Sequence, residues 1–264
     1  MTHHSELAAD RVRWAAQLLR RTADRAGHIV AVSSADLSAQ GGEPPLRAAA
    51  QPWRDLRPDQ LADPQAFEHD PKQIWEWYAW QRELVAQSEP GSAHRIVAEI
   101  EARAENFALV TESIDGLHQR AGSRKVVELR GSIWRMRCTE EGAVFTDTRV
   151  PLPELPPLCT CGKLLRPDVV WHGEALAQEV LDEALGAARH CDLMLAIGTS
   201  GLTQPAASLP ITAKRAGASV IEINPVPTRI SWAMDAVLAG RPEEVLPRLW
   251  PLDQAASPGQ ATSE

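Results

Sequence analysis

The sequence lacks the features of a membrane protein, a disulfide-stabilised protein or a nucleic-acid-binding protein. Its 264 residues contain only four cysteines, too few for a disulfide scaffold of this length. Its longest apolar runs, such as 193–197, are much shorter than the roughly 20 residues of a membrane helix, and no apolar signal-peptide core follows the first methionine. Acidic residues outnumber basic residues by 35 to 27 without any Lys/Arg-rich run, which argues against anionic partners. We therefore expect a soluble cytoplasmic protein that binds neither nucleic acid nor membrane.

Tyrosine and phenylalanine are also scarce, at one and three residues, whereas tryptophan occurs nine times. Trp75, Trp77 and Trp80 fall within six residues, a spacing typical of a buried helix face. The apolar fraction of 44% and the charged fraction of 23% are those of an ordinary globular chain, which excludes wholesale disorder. The length allows one large domain, or a domain with a substantial insert.

Short apolar segments alternate with amphipathic helical segments along most of the chain. Apolar spacing and capping residues predict helices at 6–26, 71–87, 92–103, 176–189 and 203–216. Strands are predicted at 28–32, 107–111, 126–129, 169–171, 193–197 and 220–223. This alternation predicts an α/β fold, a parallel sheet covered by helices on both faces. In such a sheet, ligands bind in the loops at the carboxyl ends of the strands.

Several motifs in these loops resemble the signature of the Sir2 (sirtuin) family, and the resemblance extends over about residues 10–250. They are Thr111-Glu-Ser-Ile-Asp-Gly-Leu-His118, Glu128-Leu-Arg-Gly131, Leu165-Arg-Pro-Asp-Val-Val-Trp171, Gly198-Thr-Ser200 and Ile223-Asn224. The resemblance implies a Rossmann-like large domain that binds NAD and a small domain formed by two insertions. The large domain would comprise 1–35, 86–130 and 166–252. The small domain would comprise a helical insertion at 36–85 and a zinc ribbon at 131–165, and 253–264 would form a disordered tail.

The resemblance also implies a reaction, in which the nicotinamide–ribose bond of NAD is cleaved and an acyl group moves from lysine to ADP-ribose. A histidine serves as the general base in that family. The adenosine-side residues of the family are matched here by Gly198, Thr199, Ser200 and Asn224. Partial nucleotide binding is therefore expected to remain possible.

The phosphate-binding loop departs from the family pattern. Where the family has Gly-Ala-Gly, this chain has Ser34-Ala35-Asp36, so both glycines that allow close approach of the backbone are absent. A carboxylate at Asp36 would face phosphate, and two like charges within ~4–6 Å cost on the order of 1–4 kcal/mol. The family's arginine is retained as Arg47, but Leu46 replaces the aromatic residue before it. We therefore expect weak binding of NAD.

The position of the general base is occupied by Arg130, and an arginine cannot accept a proton at ordinary pH. Arg130 could instead bind a carboxylate or phosphate through two parallel hydrogen bonds. The family's Gln-Asn-Ile-Asp is Glu112-Ser113-Ile114-Asp115, so the amide of the nicotinamide pocket is missing while Asp115 is kept. We expect Arg47 and Arg130 to form the anion-binding end of a polar cleft, with Glu112, Asp115 and His172 opposite them.

The residues that resemble the acyl-lysine tunnel are also altered. The family's Phe-Gly-Glu is His172-Gly173-Glu174, which follows Val170-Trp171. In the branch that handles acidic acyl groups, a Tyr-x-x-Arg motif reads the acyl carboxylate. Here Tyr78 is followed by Gln81 at the arginine position, with Arg82 adjacent.

The zinc motif is incomplete. Four cysteines would close a tetrahedral site, but this chain offers Cys138, with Glu141 in place of a second cysteine, and Cys159-x-Cys161. One interpretation is a mixed site of these four residues. The interpretation that we favour is a metal-free loop packed through Val144, Phe145 and Leu158, with Cys191 as a separate core thiol.

Three functional hypotheses remain open. In the first, the cleft has lost lysine deacylation and binds a small polar or zwitterionic ligand, with His172 and Arg130 among its new polar groups. In the second, the protein is a pseudoenzyme scaffold that binds a protein partner through an exposed Trp53 and the 36–85 lobe. In the third, NAD still binds, and deacylation, ADP-ribosyl transfer or NAD hydrolysis persists. Other polar groups within the motifs have a simpler interpretation as scaffold ion pairs, namely Glu128, Arg166 and Asp168, or as hydrogen-bonded structural histidines, namely His94 and His118.

Overall fold

The computed structural model describes residues 2–35, 37, 46, 50–202 and 204–252. Two of the predicted cofactor residues, Asp36 and Arg47, and the predicted tail at 253–264 lie outside the described residues. None of the helices in the described ranges combines the length and the apolar character needed to cross a membrane.

Helices and strands follow one another through most of the described chain. The α-helices are α1 Thr2–Asp24, α2 Pro58–Leu61, α3 Pro64–His69, α4 Pro71–Ala86, α5 Ser92–Arg103, α6 Leu117–Arg120, α7 Gln178–His190, α8 Leu209–Arg215 and α9 Pro242–Leu249. The strands are β1 His28–Ser33, β2 Asn106–Thr111, β3 Val126–Glu128, β4 Gly131–Cys138, β5 Val144–Thr146, β6 Leu165–Val169, β7 Leu193–Ile197, β8 Ser219–Asn224 and β9 Ala236–Ala239.

Six strands form the predicted parallel sheet, in the order β3-β2-β1-β7-β8-β9. Alternate residues of each central strand enter different cores, since successive side chains of a strand point to opposite faces. Ile29 and Ala31 of β1 pack in the core beneath α1, α5 and α9, whereas Val30 and Val32 pack in the core beneath α7 and α8. Both faces of the sheet are therefore covered, and the predicted α/β class is confirmed.

The small domain has its own sheet, in which β4 pairs antiparallel with β5 and with β6. The prediction of a strand at 169–171 was therefore wrong in position and in partner, because β6 ends at Val169 and belongs to this second sheet. The helix predicted at 203–216 was too long, since α8 is preceded by a 3-10 turn at Ala206–Ser208.

Helix α4 carries the tryptophan-rich face of the small domain. It begins as the sequence predicts, with the Asp70 carboxylate accepting the backbone N–H of Gln73 and with a proline in the first turn. Trp75 is fully buried, and its indole N–H donates to the carbonyl of Leu165 at 2.7 Å. This bond fixes α4 against the small sheet.

Candidate functional site

A cavity of about 870 Å³ lies between the carboxyl edge of the parallel sheet and the small domain. This is the edge at which an open α/β sheet is expected to bind ligands. Nine of the predicted site residues line it, namely Ala35, Tyr78, Gln81, Glu112, Arg130, Val170, His172, Gly173 and Glu174. The structure thus brings together residues that are as much as 139 positions apart, from Ala35 to Glu174.

Arg130 and Glu112 form an ion pair in the wall of this cavity, with 3.6 Å between Nη2 and Oε1. The Arg130 side chain is 40% exposed and that of Glu112 is 12% exposed. Backbone bonds hold both residues in place, since the N–H of Glu112 donates to the carbonyl of Ser33 and the carbonyl of Arg130 accepts from Val170. A fixed cation and a fixed anion therefore lie side by side at the mouth of an open cleft.

Glu112 lies beside Arg130 and not opposite it, and Asp115 is buried and does not line the cavity, so neither residue takes the expected position. The Asp115 carboxylate is buried and accepts the N–H of Leu117 at 2.9 Å, which caps the start of α6. Its own N–H donates to Ser113 Oγ at 3.3 Å, and its carbonyl accepts the indole N–H of Trp134. Burial raises the pKa of the Asp115 carboxyl. Both Asp115 and Ser113 therefore build the loop after β2, and neither is among the residues that line the cavity.

The adenosine-side residues meet where β1, β7 and β8 end. The Asn224 side-chain amide donates to the carbonyl of Thr199 at 2.6 Å, and the buried Thr199 hydroxyl has no partner among the described residues. Gly198 has a φ of +67°, and a Cβ at this position would lie 3.0 Å from Ser34 Oγ. Ser34 therefore occupies the space next to Gly198.

The face of α4 that lines the cavity carries polar groups without a charge. The Tyr78 hydroxyl accepts the indole N–H of Trp171 at 2.9 Å, and burial raises the pKa of this hydroxyl. Trp77 Nε1 and Gln81 Nε2 are buried and have no hydrogen-bond partner among the described residues. Trp77 was not predicted as a site residue, although its spacing of four from Gln81 places both on one helix face.

Arg82 points away from the cavity and does not replace the missing arginine of the acyl-reading motif. Its guanidinium donates to the carbonyls of Ile133, at 2.8 Å, and of Asp147 and Arg149, and it lies over the Trp134 ring. Burial lowers the pKa of Arg82 to about 10, which the Asp147 carboxylate opposes. Arg82 thus anchors α4 to the small sheet.

Most other acidic groups near the cleft are in ion pairs. Glu174 binds both Nη atoms of Arg166, at 2.6 and 2.9 Å, and also accepts the backbone N–H of Trp171. Arg135 bridges Glu128 and Asp168 behind the cavity. His172 lies exposed at the rim, held by a bond from its N–H to the carbonyl of Ala62. Glu174 therefore lines the cavity and also holds Arg166 and the backbone of Trp171 in place.

The altered cysteine motif converges on one point. The ligand atoms of Cys138, Glu141, Cys159 and Cys161 all lie within 4.8 Å of one another. The backbone N–H of Glu141 donates to Cys138 Sγ at 3.4 Å. Three thiols and a carboxylate match the donor types and the number of ligands that a tetrahedral zinc site uses. The residues therefore fit zinc, which they would hold as a structural ion.

The structure does not show the expected packing of this loop through apolar side chains. Val144, Phe145 and Leu158 are exposed, so they form no local core. Cys191 is buried at the end of α7, apart from the cluster, as predicted. The exposed tryptophan expected at position 53 is also incorrect, since Trp53 is half-buried against the small-domain core, with Arg54 over its ring.

The doubly covered parallel sheet, the small antiparallel sheet and the cleft between them define an α/β protein of the Rossmann-like class. The Sir2 family model matches residues 34–205, and the chain belongs to the Sir2 family. It is 47% identical over 223 residues to NAD-dependent protein deacylase 2 of Pyrobaculum aerophilum, covering 84% of this chain and 89% of that protein.

Two further comparisons agree with this. The chain is 46% identical over 209 residues to the NAD-dependent protein deacylase of Aquifex aeolicus, covering 79% of this chain and 87% of that protein. The crystal structure of a Sir2 homologue–NAD complex superposes with a TM-score of 0.79 at 41% identity, covering 88% of this chain and 91% of that one.

Proposed function

We propose that this Sir2-family protein binds a small polar or zwitterionic ligand in its cleft and does not catalyse NAD-dependent lysine deacylation. The observation that carries the proposal is the Arg130–Glu112 pair in the wall of the open cavity. A site that places a cation next to an anion offers partners to both ends of a zwitterion. Each charge-assisted hydrogen bond contributes roughly 1.5–3 kcal/mol.

The same pair argues against deacylation. The residue at the base position of the family is an arginine, which holds its proton throughout the ordinary pH range. The carboxylate of the neighbouring Glu112 stabilises the positive charge of Arg130. His172, the histidine in the described wall of the cavity, is exposed at its rim. General-base catalysis needs a proton acceptor within hydrogen-bond reach of the substrate, and Arg130 cannot be that acceptor.

The ligand proposal is tested by calorimetric titration with free Nε-acetyl-lysine, whose α-ammonium and α-carboxylate groups make it a zwitterion. We expect binding by the wild-type protein, and an affinity lower by about 10- to 150-fold in Arg130→Met and in Glu112→Gln, the equivalent of one lost charge-assisted bond. Arg103→Met is the matched control, because Arg103 pairs with Glu99 on the exposed face of α5, outside the cavity. Equal binding by wild-type and both cleft variants would contradict the proposal.

A second candidate function is retained NAD-dependent chemistry, and a specific observation favours it. Relatives at 46% and 47% identity carry the name NAD-dependent protein deacylase. The adenosine-side group of Gly198, Thr199 and Asn224 also remains in place. If this candidate is correct, the purified protein releases nicotinamide from NAD in the presence of an acetyl-lysine peptide.

A protein-binding role is the third candidate, and the surface that supports it differs from the one expected from the sequence. Trp232 is 84% exposed in the turn after β8, far more than any other tryptophan among the described residues. Exposed aromatic residues are enriched at interfaces. Loss of a co-purifying protein on Trp232→Ser, with the thermal unfolding temperature unchanged, would support this role.

A further inference from the structure

We propose that the cysteine cluster of the small domain holds zinc through three thiolates and a displaceable fourth ligand, Glu141, so that a small thiol from outside the chain can take the place of this carboxylate. The cluster is separate from the cleft, and the inference does not depend on the function proposed for the cleft. It assigns a binding site for a thiol to a part of the chain that otherwise has a structural role only.

Two tight turns carry the four ligands of the cluster and face each other. In the first turn, the N–H of Cys138 donates to the carbonyl of Ala143 at 2.8 Å. In the second turn, the N–H of Cys159 donates to the carbonyl of Lys163 at 2.7 Å. The antiparallel pairing of β4 with β6 places Cys138 opposite Leu165 and so joins the two turns. Backbone hydrogen bonds therefore fix the turns, whether or not every ligand is bound to the ion.

The three thiols form a compact set of their own. The Sγ atoms of Cys138 and Cys161 lie 3.6 Å apart, and the ligand atoms of all four residues lie within 4.8 Å of one another. Cys138 and Cys159 are buried, at 2% and 5% exposure. Since soft thiolates are the ligands that select zinc, these three side chains supply most of the affinity for the ion.

Glu141 differs from the cysteines in its chemistry and in its anchoring. A carboxylate is a hard donor that suits magnesium, calcium or manganese better than a thiolate-rich zinc site. Among the described residues, its carboxylate has one hydrogen-bond or ion-pair partner, the thiol of Cys159, at the long distance of 3.8 Å. The backbone N–H of Glu141 donates to Cys138 Sγ at 3.4 Å, so the main chain stays with the cluster when the side chain moves away.

Displacement of Glu141 opens the side of the cluster that faces solvent. Glu141 and Cys161 are exposed, whereas Cys138 and Cys159 are buried. A thiol that approaches from solvent binds the ion through its sulfur and gives its proton to the solvent, while the Glu141 carboxylate is released into water. One anionic ligand replaces another, so the charge of the site is unchanged. The ligand class is a small molecule with an unhindered thiol, because a zinc ion with three thiolates and an open fourth position gains a fourth soft donor.

The test uses Co²⁺ in place of zinc, because the absorption of a cobalt site reports how many thiolates bind the ion. Titration of β-mercaptoethanol into the cobalt-loaded full chain is expected to increase the sulfur-to-cobalt charge-transfer absorption of the wild-type protein. Glu141→Cys already supplies four thiolates, so its spectrum should resemble the end point of that titration and should not respond to the thiol. Glu140→Gln, a change at the exposed neighbour outside the cluster, is the matched control and should respond as the wild-type protein does.

The rate of zinc release measures how firmly Glu141 is bound. Release to the chromogenic chelator pyridylazoresorcinol is expected to be at least about tenfold faster from the wild-type protein than from Glu141→Cys, since changes in groups that only support a metal ligand already alter metal affinity by roughly 10- to 100-fold. Glu141→Ala should still retain zinc in native mass spectrometry, because the three thiolates remain. Circular dichroism verifies that each variant is folded.

Three results would overturn the inference. A cobalt spectrum of the wild-type protein that does not change with β-mercaptoethanol would show that the carboxylate is not displaced by a thiol. Zinc release from the wild-type protein as slow as from Glu141→Cys would show that Glu141 is a firm ligand. Failure of the wild-type protein to bind either zinc or Co²⁺ at equimolar concentration would show that the cluster is not a metal site.

Discussion

The buried histidine pair of the large domain makes stability sensitive to pH. His94 is 1% exposed, its Nδ1 accepts the N–H of Gly91 at 3.2 Å, and its ring centroid lies 4.7 Å from that of His118. His118 Nε2 in turn lies 3.0 Å from the hydroxyl of Ser33 at the end of β1. Burial lowers the pKa of His94 from 6.5 to about 4, and it lowers the pKa of His118 well below 6.5.

The sign of the effect follows from these directions. Above pH 6.5 both rings are neutral in the folded and the unfolded chain, so the full stability is present. As the pH falls below 6.5, the unfolded chain binds protons that the folded chain excludes, and the loss of stability caused by His94 continues until the pH reaches about 4. At about 1.36 kcal/mol per pH unit, His94 accounts for a loss on the order of 3 kcal/mol.

Urea unfolding at a series of pH values between about 7 and 4 measures this loss. The free energy of unfolding of His94→Gln is expected to fall less steeply than that of the wild-type protein, with the gap closing by about 3 kcal/mol at the acid end. The raised pKa values of the Asp115 and Glu128 carboxyls have the opposite effect, but they are common to both proteins and cancel in the difference. His69→Gln, at an exposed position, should follow the wild-type curve. Parallel curves for wild-type and His94→Gln would refute the reasoning.

Three other predictions follow from the contacts described above. Arg82→Met removes the donor to the buried carbonyl of Ile133 and to the carbonyls of Asp147 and Arg149, so the free energy of unfolding in urea should fall by about 3 kcal/mol, and a loss below about 1 kcal/mol would contradict the anchoring role. Purified protein should contain one zinc per chain by mass spectrometry under native conditions, and Cys161→Ser should lose most of it; a zinc-free wild-type protein would exclude the site. The double change of Ser34 and Asp36 to glycine should tighten NAD binding at least tenfold in calorimetry, whereas an unchanged affinity would show that the altered loop is not what limits binding.

The parallel sheet could be predicted because its strands are local and apolar. The predicted strand at 193–197 coincides with β7, and the one at 220–223 lies within β8. β6 could not be found in the same way, because its sequence Leu-Arg-Pro-Asp-Val contains a proline and two charged residues. It is a strand because β4, far away in sequence, pairs with it, and a register shift between Ser132 and Met136 precedes the pair that contains Pro167.

For the site, too, the sequence predicts which residues come together but not which way their side chains turn. A parallel sheet brings the loops at the carboxyl ends of its strands together. Its topology therefore predicts that Glu112 and Arg130 lie in one cleft. Which way a side chain turns within a loop or helix depends on packing that the sequence does not reveal. Asp115 turns inward to cap α6, and Arg82 turns toward the small sheet although its neighbour Gln81 faces the cavity. The side chains of adjacent helical residues point about 100° apart. A shift of one position therefore separates Arg82, which anchors the helix, from Gln81, which faces the cavity.

We propose that Arg130, paired with Glu112, has replaced the proton acceptor of the family reaction. The most direct test of this claim is nicotinamide release from NAD by the purified protein with an acetyl-lysine peptide, measured for wild-type and for Arg130→His. We predict no release above background for either protein, because Ser113, Leu46 and Asp36 remain altered when the histidine is restored. Sustained release by the wild-type protein would contradict the claim.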